Sequence, residues 1–157
     1  MKPVIPLPLQ QEHEALHEDL RRATRAGGEV GEAAKVLAGL MHPHFVKEDQ
    51  IALPPLGLLA PLARGAVEPG MVEVLALTER LEAELPQMLE EHKAILAALR
   101  RLKEAAQRAG HADIVAFAEQ LALHAQTEEE VMYPAAVLVG RYLRLSPRPP
   151  SATGTGS

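Results

Sequence analysis

A repeated pattern of histidine and glutamate constrains this chain more than any other feature. His44 is followed four residues later by Glu48, and His124 is followed in the same way by Glu128. In both segments a second acid comes directly after the glutamate, and a proline stands ten residues after the histidine. Residues four apart are neighbours on one face of an α-helix. Each segment can therefore present an imidazole and a carboxylate side by side on a helix.

A partner histidine precedes each segment. His13 stands in Gln-Glu-His and His92 in Glu-Glu-His, 31 and 32 residues before the histidine of their segments. The two halves are offset by 79 residues at the first histidine and by 80 at the second. This doubling predicts two related helical hairpins that pack face to face. The predicted fold is all-α, an antiparallel up-and-down four-helix bundle with a pseudo-two-fold axis.

The composition excludes several classes of site and partner. The chain has no cysteine, so disulfides, thiolate metal sites and cysteine nucleophiles are ruled out. Its net charge of -5, without a dense Lys/Arg run, argues against nucleic acid as a partner. No apolar run approaches the roughly 20 residues of a membrane span, and the proline-rich N-terminus does not resemble a signal peptide. We therefore expect a cytoplasmic protein with no membrane partner.

The apolar periodicity predicts a single domain over 1–145. After an extended lead-in over 1–8, its helices are expected at about 9–26, 30–52, 71–109 and 113–145. Pro43 should kink the second helix, Pro86 should kink or divide the third, and Asp113 should be the N-cap of the fourth. The inward faces are expected to include Val36, Leu40 and Val131.

Two further segments have a distinctive composition. Residues 53–70 are rich in Pro and Gly but also in Leu, so we expect them to pack over the bundle, and an oligomer could form through them. Residues 146–157 contain mainly Pro, Gly, Ser and Thr and are predicted to be a disordered tail.

Glu48 and Glu128 lie on apolar helix faces, where a bare carboxylate is costly. Burying two carboxylates close together would cost on the order of several kcal/mol or would force one of them to take up a proton. A pair of cations removes this problem, because each carboxylate can bridge two ions while the neighbouring histidines bind them. A His-rich site without thiolates suits iron, although zinc or manganese could replace it.

The two His-x-x-x-Glu-acid segments that end in proline resemble those of the hemerythrin-like, HHE cation-binding family, over residues 9 to 145. The resemblance implies a left-handed four-helix bundle with a non-haem di-iron centre, in which both glutamates bridge the metals. The positions that match the family's ligand pattern are His13, His44, Glu48, His92, His124 and Glu128.

The chain departs from the oxygen-carrying hemerythrins at the fifth histidine. Their third helix carries a His-x-x-x-His, whereas Leu96 stands four residues after His92. The first helix instead carries His17 four residues after His13. We therefore predict His17 as a further metal ligand, with a satisfied core histidine as the alternative. The expected grouping is His13, His17 and His44 on one iron, and His92 and His124 on the other, with an open position roofed by Leu96.

Several polar residues near the pattern are left outside the ligand set. Asp49, Glu129 and Glu130 should point elsewhere on their helices, either into solvent or as groups that support the ligands from outside, and Glu129 would bridge if the register were shifted by one. Tyr133 could reach the rim as a hydrogen-bond donor, although core packing is the commoner role. His42 and His111 are expected at the surface.

The resemblance implies a protein that binds or senses dioxygen or a related small oxidant, such as peroxide or nitric oxide. It would use ferrous/ferric cycling with an oxo or hydroxo bridge between two irons. One alternative is a di-iron redox enzyme that consumes peroxide or nitric oxide. Another is a structural or interaction module stabilised by metal. No catalytic residue and no organic cofactor site is predicted apart from the metal site.

Overall fold

The computed structural model describes residues 3–146, and over this range the chain is helical, with no β-strand. The predicted all-α four-helix bundle is confirmed. The helices are α1 (Leu7–Thr24), α2 (Gly28–Lys47), α3 (Leu59–Ala63), α4 (Val74–Ala109), α5 (Ala112–Thr127) and α6 (Tyr133–Leu145). π-helical turns follow α2 at Glu48–Ala52 and α5 at Glu128–Met132, so α6 continues α5. Short 3₁₀ segments occupy Pro54–Leu58 and Pro69–Glu73.

The four long helical segments form a ring around one axis. α1 packs beside α2 and α5, and α4 packs beside α2 and α5 on the opposite side. The hairpin α1–α2 therefore faces the hairpin formed by α4 with α5 and α6. Gly110, whose φ of 75° is in the left-handed region, ends α4 as predicted.

The apolar core is divided into two main clusters along the bundle. One cluster contains Leu20, Leu37 and Phe117, and the other contains Ile51 and Met88. Each fully buried Leu, Ile or Phe contributes about 1.5–3 kcal/mol to stability. Each helix of the ring places one buried histidine between the two clusters, so apolar side chains enclose the polar layer on both sides.

Several predicted boundaries are wrong by a few residues. α1 begins at Leu7 instead of residue 9, because Pro8 lies in the first turn, where its missing N–H has no helical partner to lose. α4 runs through Pro86 without a break. The N-cap of α5 is His111, and Asp113 lies in the first helical turn instead.

The inward faces also differ from the prediction at three positions. Val36, Leu40 and Val131 are 57%, 37% and 59% exposed. On α2 the buried face includes Ala34, Leu37 and Met41, and Val36 and Leu40 lie to its sides. The π turn after α5 adds a residue to the helical turn, so the register that predicted a buried Val131 is shifted.

The connection over 53–70 packs on the bundle at its beginning. Leu53, Leu56 and Leu58 are buried, whereas the segment from Leu59 to Gly70 is mostly exposed. An oligomer formed through this connection stays a prediction, as does the domain boundary at 145. The predicted tail lies outside the described residues from 147 onward. Within residues 3–146, no helix combines the length and the apolar character needed to cross a membrane.

Candidate metal centre

Four histidines and two glutamates converge in the middle of the bundle. Their side chains are buried, and none of the six residues is more than 5% exposed. They are the six positions that match the family's ligand pattern: His13, His44, Glu48, His92, His124 and Glu128. The polar atoms fall into two groups, each compact enough to hold one ion.

The first group joins α2 to α4. The Nε2 atoms of His44 and His92 are 2.8 Å apart. Glu48 Oε1 lies 2.7 Å from the His44 Nε2 atom, and Glu128 Oε2 lies 3.1 Å from the His92 Nε2 atom. Donor atoms that bind one ion at about 2.1 Å are roughly 3 Å apart at adjacent octahedral positions. These four atoms therefore have the separations of ligands around one metal ion.

The second group joins α1 to α5. The Nε2 atoms of His13 and His124 are 3.2 Å apart. Glu128 Oε1 lies 2.5 Å from His124 Nε2, and Glu48 Oε2 lies 3.4 Å from His13 Nε2. Each glutamate thus directs one carboxylate oxygen to the first group and the other oxygen to the second. This is the arrangement of two carboxylates that bridge a pair of ions.

The unsatisfied polar atoms support the presence of cations. Among the described residues, the carboxylate oxygens Glu48 Oε2 and Glu128 Oε1 are buried without a well-oriented hydrogen-bond partner, as are the Nδ1 atoms of His13 and His44. A buried acceptor without a partner costs about 1–3 kcal/mol, and more when it is charged. Glu48 Oε2 and Glu128 Oε1 both face the imidazoles of the second group. Neutral imidazoles and carboxylates that converge in this way fit divalent or trivalent ions that bind nitrogen and oxygen ligands.

The predicted grouping of the histidines is wrong. The sequence predicts His13 and His44 on one metal, but the structure pairs His44 with His92 and His13 with His124. The reason is the ring of helices, in which the histidines that meet come from adjacent helices of different hairpins. Each group therefore takes one histidine from each half of the doubled sequence.

His17 lies outside both groups. Its ring packs against the ring of Phe45, with the centroids 4.2 Å apart, and Phe45 also contacts the His13 ring. Burial, followed by the nearby charge of His13, lowers the pKa of His17. A role as a metal ligand stays a prediction for this residue. Leu96, expected as a roof over the open position, is 37% exposed.

Acidic residues contact the outer nitrogens of two of the histidines. His92 Nδ1 donates to Glu129 Oε1 at 2.8 Å, and His124 Nδ1 donates to Glu12 Oε1 at 2.9 Å. A carboxylate in this position fixes the ring with Nε2 toward the metal and makes that nitrogen a stronger ligand.

The other two histidines have more distant partners. His13 Nδ1 lies 3.4 Å from Asp49 Oδ1, and His44 Nδ1 lies 3.8 Å from Glu91 Oε1. Lys47 holds the same Glu91 oxygen at 2.9 Å. Since Asp49 corresponds to Glu129 and Glu91 to Glu12 in the doubled sequence, all four contacts follow the pseudo-two-fold relation.

The sequence contained a signal for these carboxylates. A glutamate directly precedes His13 and His92, and an acid directly follows Glu48 and Glu128. The following acids are predicted to lie in solvent or to support the ligands, and for Asp49 and Glu129 the structure shows the second role. The sequence does not show which histidine each acid contacts, because that histidine lies on another helix.

Tyr133 reaches the centre instead of its rim. The residue is 1% exposed, and its hydroxyl donates to Glu48 Oε1 at 2.5 Å. It follows the π turn after α5, where the Tyr133 N–H bonds to the Glu128 carbonyl oxygen. Single π turns of this kind occur frequently at functional sites. An α-helical register does not place Tyr133 on the face of Glu128, so its position could not be read from the spacing.

The pKa values show that protons can occupy the site in place of metal. Burial alone would lower the pKa of His92 and of His124. Contacts with the buried carboxylates, chiefly Glu128, outweigh it and raise these pKa values to about 10 and about 9. Burial would raise the pKa of Glu128, but hydrogen bonds from the histidines hold it well below its ordinary range. Without metal, imidazolium charge therefore balances the carboxylates, and protons compete with cations for these atoms.

Comparison with protein families supports the same conclusion. A family model described as the Hemerythrin HHE cation binding domain matches residues 8–136. This range includes all residues of both groups and Tyr133. Searches among curated proteins and among solved structures gave no match.

Proposed function

Because this chain belongs to the hemerythrin HHE cation-binding family, we propose that it is a non-haem di-iron protein that binds or senses dioxygen or a related small oxidant. The observation that carries the proposal is that Glu48 and Glu128 each direct one oxygen to each of two histidine pairs. His44 and His92 would bind one iron, and His13 and His124 the other. When bound, the iron pair supplies reversible ferrous/ferric redox chemistry and a coordination position for a small molecule.

The protein side chains prepare the site for two cations. The two glutamates carry roughly half of the charge that two divalent ions bring, and the outer carboxylates on His92 and His124 add negative charge nearby. The apolar clusters on both sides exclude water, which strengthens these interactions. Iron is favoured by the family and by the nitrogen-rich, thiolate-free ligand set.

A cleft gives small molecules a route to the second pair. It has a volume of about 430 Å³ and its lining includes His13, His17 and Asp49. The geometry suits a small ligand that approaches the His13 side of the centre. His17 lines this cleft and lies outside both donor groups, so we expect His17→Ala to retain two ions while altering how ligands enter or are held.

A second candidate function is a di-iron redox enzyme that consumes peroxide or nitric oxide. The specific observation in its favour is that His17, whose imidazole can exchange a proton, lines the cleft that reaches His13. Reduction of peroxide or nitric oxide requires protons, which His17 could deliver, whereas simple reversible binding of dioxygen does not.

Metal counting tests the site. Anaerobically purified protein loaded with Fe(II) should contain two irons per chain by elemental analysis. We expect the double variant Glu48→Ala/Glu128→Ala to lose the dinuclear centre, because both bridges are removed. Glu130→Ala is the matched control, since Glu130 is exposed on the same π turn as Glu128. Retention of two irons by the double variant would contradict the assignment.

Exposure of the loaded protein to oxidants then separates the functions. A visible charge-transfer band that appears with dioxygen and reverses under vacuum supports binding or sensing. Repeated peroxide or nitric oxide consumption without loss of colour supports the enzyme. A colourless protein that contains only zinc would support a structural role for the metal.

A further inference from the structure

We propose that Tyr133 is itself a metal ligand, bound as a phenolate to the ion that His44 and His92 hold. The inference rests on the proposed di-iron site and adds a protein donor that the histidine and glutamate pattern does not contain. It also makes the two ions chemically different, because their donor sets are no longer equal.

The position of the hydroxyl carries the inference. The Tyr133 oxygen lies 2.5 Å from Glu48 Oε1 and 3.2 Å from His92 Nε2. It is also 3.3 Å from Glu128 Oε2 and 3.4 Å from His44 Nε2. These are the four donor atoms of the first group, and the separations bracket the roughly 3 Å expected between adjacent ligands of one ion. A tyrosine that only packs in the core, or donates from the rim, would not approach all four donors.

The local backbone explains why the hydroxyl arrives there. In an α-helix a residue five positions after Glu128 points about 140° away from it. The π turn over Glu128–Met132 accommodates one more residue, and the Tyr133 N–H bonds directly to the Glu128 carbonyl oxygen. Tyr133 therefore lies nearly above Glu128 and shares its inward face. Such π turns are rare within α-helices and occur frequently at functional sites, and this one brings another side chain to the centre.

The other half of the chain has the same backbone but a different side chain. Leu53 stands five residues after Glu48, its N–H bonds to the Glu48 carbonyl oxygen across the equivalent π turn, and it is fully buried. Its side chain has no donor atom. Within residues 3–146, the group of His13 and His124 is therefore limited to two imidazoles, Glu128 Oε1 at 2.5 Å from His124 Nε2, and Glu48 Oε2 at 3.4 Å from His13 Nε2. The first ion has five protein donors and the second has four, so the second retains the more open coordination.

Ferric protein provides the test, because a phenolate bound to Fe(III) produces a broad visible charge-transfer band that histidine and carboxylate do not produce and that lies at longer wavelength than the main bands of an oxo bridge. The starting material is full-length protein shown by elemental analysis to contain two ferric ions per chain. We expect the band in the wild type and its loss in Tyr133→Phe with both irons retained. Tyr142→Phe is the matched control, since Tyr142 is the only other tyrosine and is 47% exposed. A wild type without the band, or a Tyr133→Phe variant that keeps it, would overturn the inference.

A second measurement does not depend on the Tyr133→Phe variant. Tyr142→Phe contains Tyr133 as its single tyrosine, and growth on ring-deuterated tyrosine labels that residue. Resonance Raman bands of iron-bound phenolate that shift with the label would support ligation by Tyr133, and their absence from the two-iron protein would overturn it. Mössbauer spectra should show two distinct ferric sites, and a single symmetric site would also overturn it. Failure of the di-iron proposal would differ, since it would appear as fewer than two irons per chain.

Discussion

Replacement of Glu129 by glutamine tests whether the outer carboxylates strengthen metal binding. Glu129 Oε1 accepts a 2.8 Å hydrogen bond from His92 Nδ1. Glutamine retains the shape and can still accept this hydrogen bond, so the change removes mainly the negative charge. A charge-assisted hydrogen bond contributes about 1.5–3 kcal/mol. Because the Glu129 side chain is 38% exposed, solvent screening reduces this contribution.

The expected loss is therefore about 1.4 kcal/mol, which corresponds to a roughly tenfold increase in the metal Kd. This is the lower end of the roughly 10–100-fold effect of removing such a partner. The loss of affinity should affect the ion held by His44 and His92, since Glu129 contacts the His92 ring.

A competition titration of Zn²⁺ against a chelator measures the two binding steps separately. Glu130→Gln is the control, because Glu130 is adjacent, exposed and bonded to Gln126 instead of a histidine. The control should change neither step by more than about twofold, which is within the ordinary effect of a surface substitution. The reasoning would be refuted if Glu129→Gln matched the control, or if it weakened both steps equally.

Three further predictions concern the stability of the fold. An alanine Cβ at Gly140 would lie 2.7 Å from Thr78 Cβ, so Gly140→Ala should lower the free energy of unfolding by about 1–3 kcal/mol. Gly39→Ala meets no atom within 4 Å and should raise the free energy of unfolding by about 0.5–1 kcal/mol. Urea unfolding that ranks the two variants in the opposite order would contradict the packing. The metal-free protein should have the full stabilisation from His92 and His124 below their ordinary pKa of 6.5 and lose it as the pH rises through about 9 to 10, because the folded-state pKa values are raised. Thermal melts with a chelator check this, and a melting temperature that rises between these pH values would refute it. Saturating metal should stabilise the fold by about 2.7 kcal/mol per site at a concentration of 100 Kd and should remove most of this pH dependence.

The sequence alone determined the bundle and the four histidines and two glutamates that meet at its centre. Both depend on local rules: a spacing of four places His44 beside Glu48 and His124 beside Glu128, and the apolar periodicity turns each pair inward. The doubling of this unit was sufficient to predict two hairpins and a site between them. These features need no knowledge of which helix lies next to which.

Tertiary structure decided how these residues are combined. Which histidines share a group depends on the order of the helices around the ring. His44 therefore meets His92 of the other hairpin and not His13, which lies in the same hairpin as His44. The outer carboxylates depend on the same neighbours. Tyr133 enters the centre only because the backbone makes a π turn after Glu128. Spacing along one helix specifies a face, but contacts between helices and departures from the α-helical register are set by packing of the whole bundle.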